Sequence, residues 1–188
     1  MKRSVVIVLC SAYALFMAVS AVYYYVEEEP FKSIIAVSGI ACGAAPLLLG
    51  FFTKFKFNLP IIVSYLLFLV GSQYLGSIMD WYGLGWWDVL MHFISGGLLG
   101  FIAIALYERM IHREAGSQIS PWFIFLFVTS FATFGGVLWE IYEFSADQLF
   151  NTTLQGGGNK DTMIDLIADA AGGLLVGIWA GVRTKIKK

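Results

Sequence analysis

A chain that repeats an apolar stretch of roughly 20 residues six times, with only short polar interruptions, has almost no way to remain in water. The stretches run Ser4 to Tyr25, Phe31 to Thr53, Asn58 to Met79, Asp88 to Tyr107, Pro121 to Asp147 and Asp161 to Val182. At about 1.5 Å per helical residue, each can cross a hydrocarbon layer of about 30 Å when modestly tilted. Backbone N–H and C=O groups find no water in that layer, so a span of this kind must satisfy them itself, as a helix. The expected fold class is therefore all-α, a polytopic integral membrane bundle of six helices forming one transmembrane domain over residues 1–188. Composition agrees: 59% of residues are hydrophobic and 13% charged, more apolar surface than a soluble core can absorb. A net charge of −1 gives no reason to expect a nucleic acid as partner; the partner is the lipid bilayer.

The interruptions carry recognisable breakers. Glu27, Glu28, Glu29 and Pro30 follow the first span, Lys54 to Asn58 the second, and Gly83 with Gly85 the third. Asn151 to Lys160, with Gly156, Gly157 and Gly158, reads as a loop, and Asp161 as the N-cap of the last helix. Short connections make an antiparallel, up-and-down order the default. The first span also has features of a cleaved signal, a basic start and Val19-Ser20-Ala21, but its apolar run continues through Tyr25, which favours an uncleaved anchor. Cys10 and Cys42 fall inside apolar stretches and read as small core residues rather than a disulfide.

Charge sets the expected orientation. With the N-terminus inside, Lys2, Arg3, Lys54, Lys56, Arg109, Arg113, Arg183, Lys185, Lys187 and Lys188 are cytoplasmic, and only Lys32 and Lys160 are outside. Ten of the twelve basic residues on one side places both termini in the cytoplasm of a multi-pass cell (inner) membrane protein. The outer loops then hold Trp81, Tyr82, Trp86 and Trp87, which read mainly as interfacial anchors.

The functional signal is the set of ionisable residues inside the spans. In this topology span four starts at the outer face, span five ends there and span six starts there again. Asp88, His92, Glu140, Glu143, Asp147, Asp165 and Asp169 then overlap in depth, roughly 5–12 Å below the interface. Spacing by four also aligns Asp88, His92, Gly96 and Gly100, and aligns Asp161, Asp165, Asp169, Gly173, Gly177 and Gly181, while Gly136 precedes Glu140. Glycine stripes are where membrane helices approach closely, so these acids belong to packing faces rather than to lipid. Each charged residue otherwise costs on the order of 2.5–3.5 kcal/mol on insertion scales, so a chance cluster is improbable.

Asp88 and Asp161 have a simpler reading as helix caps, Asp147 as an exposed helix end, and His92 alone as a hydrogen-bonded core histidine. Glu140, Glu143, Asp165 and Asp169 resist such readings, because no lysine or arginine lies at their depth. Shared protons, a bound cation or a water-filled cavity must compensate them. One histidine with several carboxylates suits a divalent metal such as Zn, Mn or Fe, with His92, Glu140, Asp165 and Asp169 as expected ligands and Glu140 or Glu143 as a catalytic base.

A resemblance appears at the same residues. Trp87-Asp88 with His92, Gly135-Gly136 leading to Trp139-Glu140 with Glu143, and Asp161-Thr162 with Asp165 and Gly172-Gly173 resemble the uncharacterised bacterial inner-membrane proteins of the YjdF type, from Trp87 to Gly177. The last helix is also similar to VanZ-like proteins in its acid-rich start and glycine pairs, although those chains usually place an Asn near the position of Asp169. Neither family brings an agreed mechanism; the resemblance implies a bacterial or archaeal cell membrane. Three function classes follow from the residues. They are a metal-dependent hydrolase or transferase acting on a lipid-linked substrate, a proton- or cation-coupled transporter, and a non-catalytic lipid- or partner-binding protein. The absence of two related halves disfavours the transporter.

The charge asymmetry predicts that topology reporters fused at Lys188 and within the Asn151 to Lys160 loop give opposite signals; the same signal from both would overturn the orientation.

Overall fold

The computed structural model describes residues 3–53, 58–111, 119–156 and 158–186. Lys54 to Phe57 of the second interruption, Gly157 of the glycine loop, and the charges of Lys2, Lys54, Lys56, Arg113, Lys187 and Lys188 lie outside them. Among the described residues there are helices and no strands. Six helical spans are long and apolar enough to cross a membrane: Ser4–Val26, Pro30–Thr53, Leu59–Ile78, Trp87–Met110, Pro121–Phe150 and Asn159–Thr184. Large apolar side chains such as Leu15, Phe52, Leu67, Trp122 and Ile167 are exposed along them, as expected of helices whose outer faces meet lipid. Internal contacts divide the chain into two compact units, Met1–Trp87 and Asp88–Lys188.

The first unit contains α1 (Arg3–Val26), α2 (Pro30–Thr53) and α3 (Leu59–Leu69). Its core is built from Cys10, Tyr13, Met17, Ala21, Ala36, Ile62, Leu66, Leu69 and Ile78. Gly39 and Gly43 of α2 leave room for Met17 and Tyr13 of α1. Cys10 and Cys42 are free thiols. This unit has two irregularities, and a side chain meets the backbone at each. Pro46 lies inside α2 and has no N–H, so the carbonyl of Cys42 one turn earlier lacks its helical donor; the Tyr65 hydroxyl donates to it at 2.9 Å.

The third span contains the other irregularity, because α3 passes into a π-helix over Val70–Ile78. The Trp87 indole N–H donates to the carbonyl of Gly71 within this segment, at 3.1 Å. Trp87 is buried and stands edge-on to Trp81 and Trp86. It is therefore a structural residue of the first unit rather than a simple interfacial anchor. A 3-10 turn, Trp81–Leu84, leads up to it.

The second unit consists of α4 (Trp87–Met110, from Asp88 onward), α5 (Pro121–Phe150) and α6 (Asn159–Ile186). Ser120 caps α5, its hydroxyl accepting from the Trp122 amide at 3.3 Å with Pro121 in the first turn. The last helix starts at Asn159, so Asp161 lies in its first turn and is not its cap, as the sequence suggested; Gly158, at φ 65°, offers its carbonyl to the Thr162 amide instead. Away from the acids the helices are held by Ala103, Ile124, Val128, Val176 and Ala180.

Glycines let the three backbones meet. A Cβ on Gly96 would run into the Asp169 carbonyl, one on Gly172 into the Phe93 carbonyl, and one on Gly173 into the Ala132 side chain. Gly97, the neighbour of Gly96, has nothing within 4 Å of such an atom. Gly96→Ala is therefore expected to destabilise the protein by about 1–3 kcal/mol, since a backbone carbonyl cannot yield. Gly97→Ala should remain within about 0.5 kcal/mol of the parent. Thermal unfolding in detergent checks the pair, and equal shifts for both would contradict the close approach.

Candidate functional site

The ionisable residues of the second unit come from three helix ends. Asp88 and His92 stand one turn apart at the start of α4, Glu140 lies in the latter half of α5, and Asp165 and Asp169 stand one turn apart near the start of α6. His92 is at the centre. Its Nδ1 is 2.9 Å from Asp169 Oδ2, while its Nε2 lies 3.7 Å from Asp88 Oδ1 and 3.9 Å from Glu140 Oε1. Ligand atoms of Asp88, His92 and Asp165 all lie within 4.8 Å of one another. His92, Glu140, Asp165 and Asp169 are each at most 5% exposed, and Asp88 is the partly exposed member.

Hydrogen bonding divides the carboxylates into two kinds. Asp169 is engaged at both oxygens, Oδ2 with His92 Nδ1 and Oδ1 with the Ser95 hydroxyl, which also lies 2.8 Å from the His92 carbonyl. Neither Glu140 oxygen has a hydrogen-bond partner at bonding distance, although the Thr162 side chain is close by, and Asp165 Oδ2 also lacks one. Among the described residues the buried side-chain atoms without a hydrogen-bond partner are these three and Thr129 Oγ1. An orphan buried acceptor costs about 1–3 kcal/mol, more when charged, so three in one place call for an explanation other than stability. The ion pairs of the site all run to His92, one imidazole among four carboxylates. In a medium of low dielectric their charge needs protons or a cation to offset it.

Of the residues singled out in the sequence, the structure brings together His92, Glu140, Asp165 and Asp169. Glu143, partly buried, stands on the next turn of α5, where its Oε1 accepts from the Trp139 indole N–H at 2.9 Å. Asp147 holds the following loop: its carboxylate accepts from Thr152 Oγ1 at 2.7 Å and from the amides of Leu154 and Gln155 at 2.8 and 3.0 Å. Gln155 in turn donates to Thr162 Oγ1 at 2.8 Å, tying the loop to the first turn of α6. Asp88 stands with His92 as the sequence spacing placed it, four residues earlier on the same face, although its expected role is that of a cap, and Ser95 is not singled out by the sequence. Ser95, three residues after His92, carries the same kind of signal but is too common a residue in membrane helices to attract notice.

The model of a family described as "Predicted membrane protein (DUF2238)" matches residues 7–185. The chain belongs to this family. The DUF2238 match reaches into all six spans, beyond the second half of the chain on which the YjdF-type resemblance rests, and it lends no support to the VanZ-like similarity of the last helix. A Thermotoga maritima protein described only as uncharacterized is 29% identical over 111 residues, 56% of this chain. The matched segment spans about half of that relative's own length, 56%. No solved structure matches.

The orphaned carboxylate of Glu140 generates a stability test. Glu140→Met, similar in volume and without polar atoms to satisfy, is expected to raise the stability of metal-free protein by about 1–3 kcal/mol. Thermal unfolding in detergent with a chelator measures it. A loss of stability instead would mean that Glu140 is held by interactions within the folded protein.

Proposed function

We propose that the second unit is a metal-dependent membrane enzyme site, a hydrolase or transferase centre that acts on a lipid-linked substrate. Asp88, His92 Nε2 and Asp165 would hold a divalent cation such as Zn, Mn or Fe, with Glu140 beside them. The observation that carries this reading is the pairing of orphaned oxygens on Glu140 and Asp165 with the unanchored nitrogen of a histidine whose other nitrogen is fixed. Two ligand atoms each about 2.0–2.2 Å from one ion lie about 3.3–3.6 Å apart in a tetrahedral site, close to the 3.7 Å separation of His92 Nε2 and Asp88 Oδ1. When bound, such a cation would supply Lewis-acid chemistry toward a substrate oxygen or a water, and Glu140, adjacent to it, would be the better base. Glu143 is already engaged by Trp139. With both termini cytoplasmic, as the positive-inside rule predicts, the site would face the outer leaflet of the cell membrane. Cargo transport and simple lipid or partner binding use the same residues without bond-making.

Elemental analysis of full-length protein purified without chelator decides the first step. The expected result is about one Zn, Mn or Fe per chain, lost in His92→Ala and in Asp165→Asn. Adding the metal to stripped protein should raise stability by about 2.7 kcal/mol at a hundredfold excess over Kd. Affinity should fall as pH drops, because the ligands must be deprotonated to bind. No stoichiometric metal, with thermal stability unchanged on adding Zn or Mn, would overturn the reading in favour of carboxyl groups sharing protons.

A further inference from the structure

A histidine offers a ligand only one nitrogen at a time, and the group that holds the other decides which one and in what direction. His92 belongs to α4, and the group on its Nδ1 is Asp169 of α6, 2.9 Å away and 1% exposed. The second oxygen of that carboxylate meets Ser95, one turn beyond His92 on α4, so α4 supplies both the ring and the hydroxyl between which Asp169 is held. The surrounding backbone encloses it further. A Cβ on Gly136 of α5 would lie 2.8 Å from both Asp169 Cβ and Cγ, and one on Gly96 would collide with the Asp169 carbonyl. Each oxygen of Asp169 thus already has a partner on α4, in contrast to both oxygens of Glu140 and to Oδ2 of Asp165.

We infer that Asp169 is a positioning residue rather than a ligand: with Ser95 and the glycine seat, it holds the ring of His92 with Nδ1–H directed at α6 and the Nε2 lone pair directed at Asp88 and Glu140. This departs from the sequence reading, which counts Asp169 among the ligands. The consequence for cation affinity rests on the function proposed above, whereas the orientation of the ring does not. Ser95 acts through Asp169, one step further from the site, and its removal has the smaller effect.

The test uses full-length protein in detergent, labelled with 15N at histidine in a His112→Gln background, which leaves His92 as the sole histidine. At alkaline pH, where the ring is neutral, the metal-free parent is expected to show the Nδ1–H tautomer. Asp169→Asn keeps the packing of Asp169 but weakens the acceptor, so the preference should fall toward that of free imidazole. Zn affinity should fall about 10- to 100-fold, as for other carboxylates that hold a metal-bound histidine. A residue that only fills space would leave both readouts at the parent values. Ser95→Ala should move both in the same direction by less, and it serves alone if Asp169→Asn does not fold. The parent tautomer retained in the variants would overturn the inference. A tautomer change in protein that binds no Zn at all would uphold the positioning role while removing the metal reading.

Discussion

A polar atom in hydrocarbon finds its partner in the protein or goes without one, and the architecture follows from that constraint. It makes the six spans helical, and it also explains their irregular places. Pro46 deprives the Cys42 carbonyl of a donor and Tyr65 supplies one. The π-helical end of the third span presents the Gly71 carbonyl, and the Trp87 indole takes it. Outside the regular helices, Asp147 performs the same service for the amides of Leu154 and Gln155, and so holds the loop that delivers α6 to its place.

Set against so much satisfied polarity, the exceptions gain meaning. Glu140 and Asp165 hold three of the four orphaned buried side-chain atoms among the described residues, and they lie around the same histidine. A fold that recruits a tyrosine to satisfy a single carbonyl has the means to satisfy two carboxylates. Leaving them unpaired is costly, and under the proposed function a cation or a substrate group would offset that cost. Asp169 supports this reading from the other side. It is as buried as Asp165, yet both of its oxygens are engaged, so depth and charge do not by themselves leave an acid unpartnered here.

The glycines connect the packing to the chemistry. Gly96 and Gly136 allow the α6 backbone and the Asp169 carboxylate to approach α4 and α5 more closely than any residue with a Cβ would permit. That approach brings an acid from one helix to within hydrogen-bond distance of a histidine from another. A larger interhelical spacing would leave the same residues at the same depth without contact.

The sequence by itself determined the class of fold and the region of the site. Six apolar stretches of membrane-spanning length admit one kind of secondary structure, and a spacing of four residues assigns His92, Gly96, Asp165, Asp169 and Gly173 to packing faces whatever their neighbours are. Those are properties of one helix in one solvent, and they need no partner to be read. What each acid does was decided only by the tertiary structure. Asp88 and Asp169 look alike as carboxylates on helical stripes, but one stands beside the open nitrogen of His92 and the other is bound to the opposite nitrogen and to Ser95. Glu143 shares a helix end with Glu140, yet it turns to Trp139. Rotation of a helix about its axis and the distance between two helices settle such choices, and both depend on contacts between residues far apart in the chain, which spacing along a single helix does not encode.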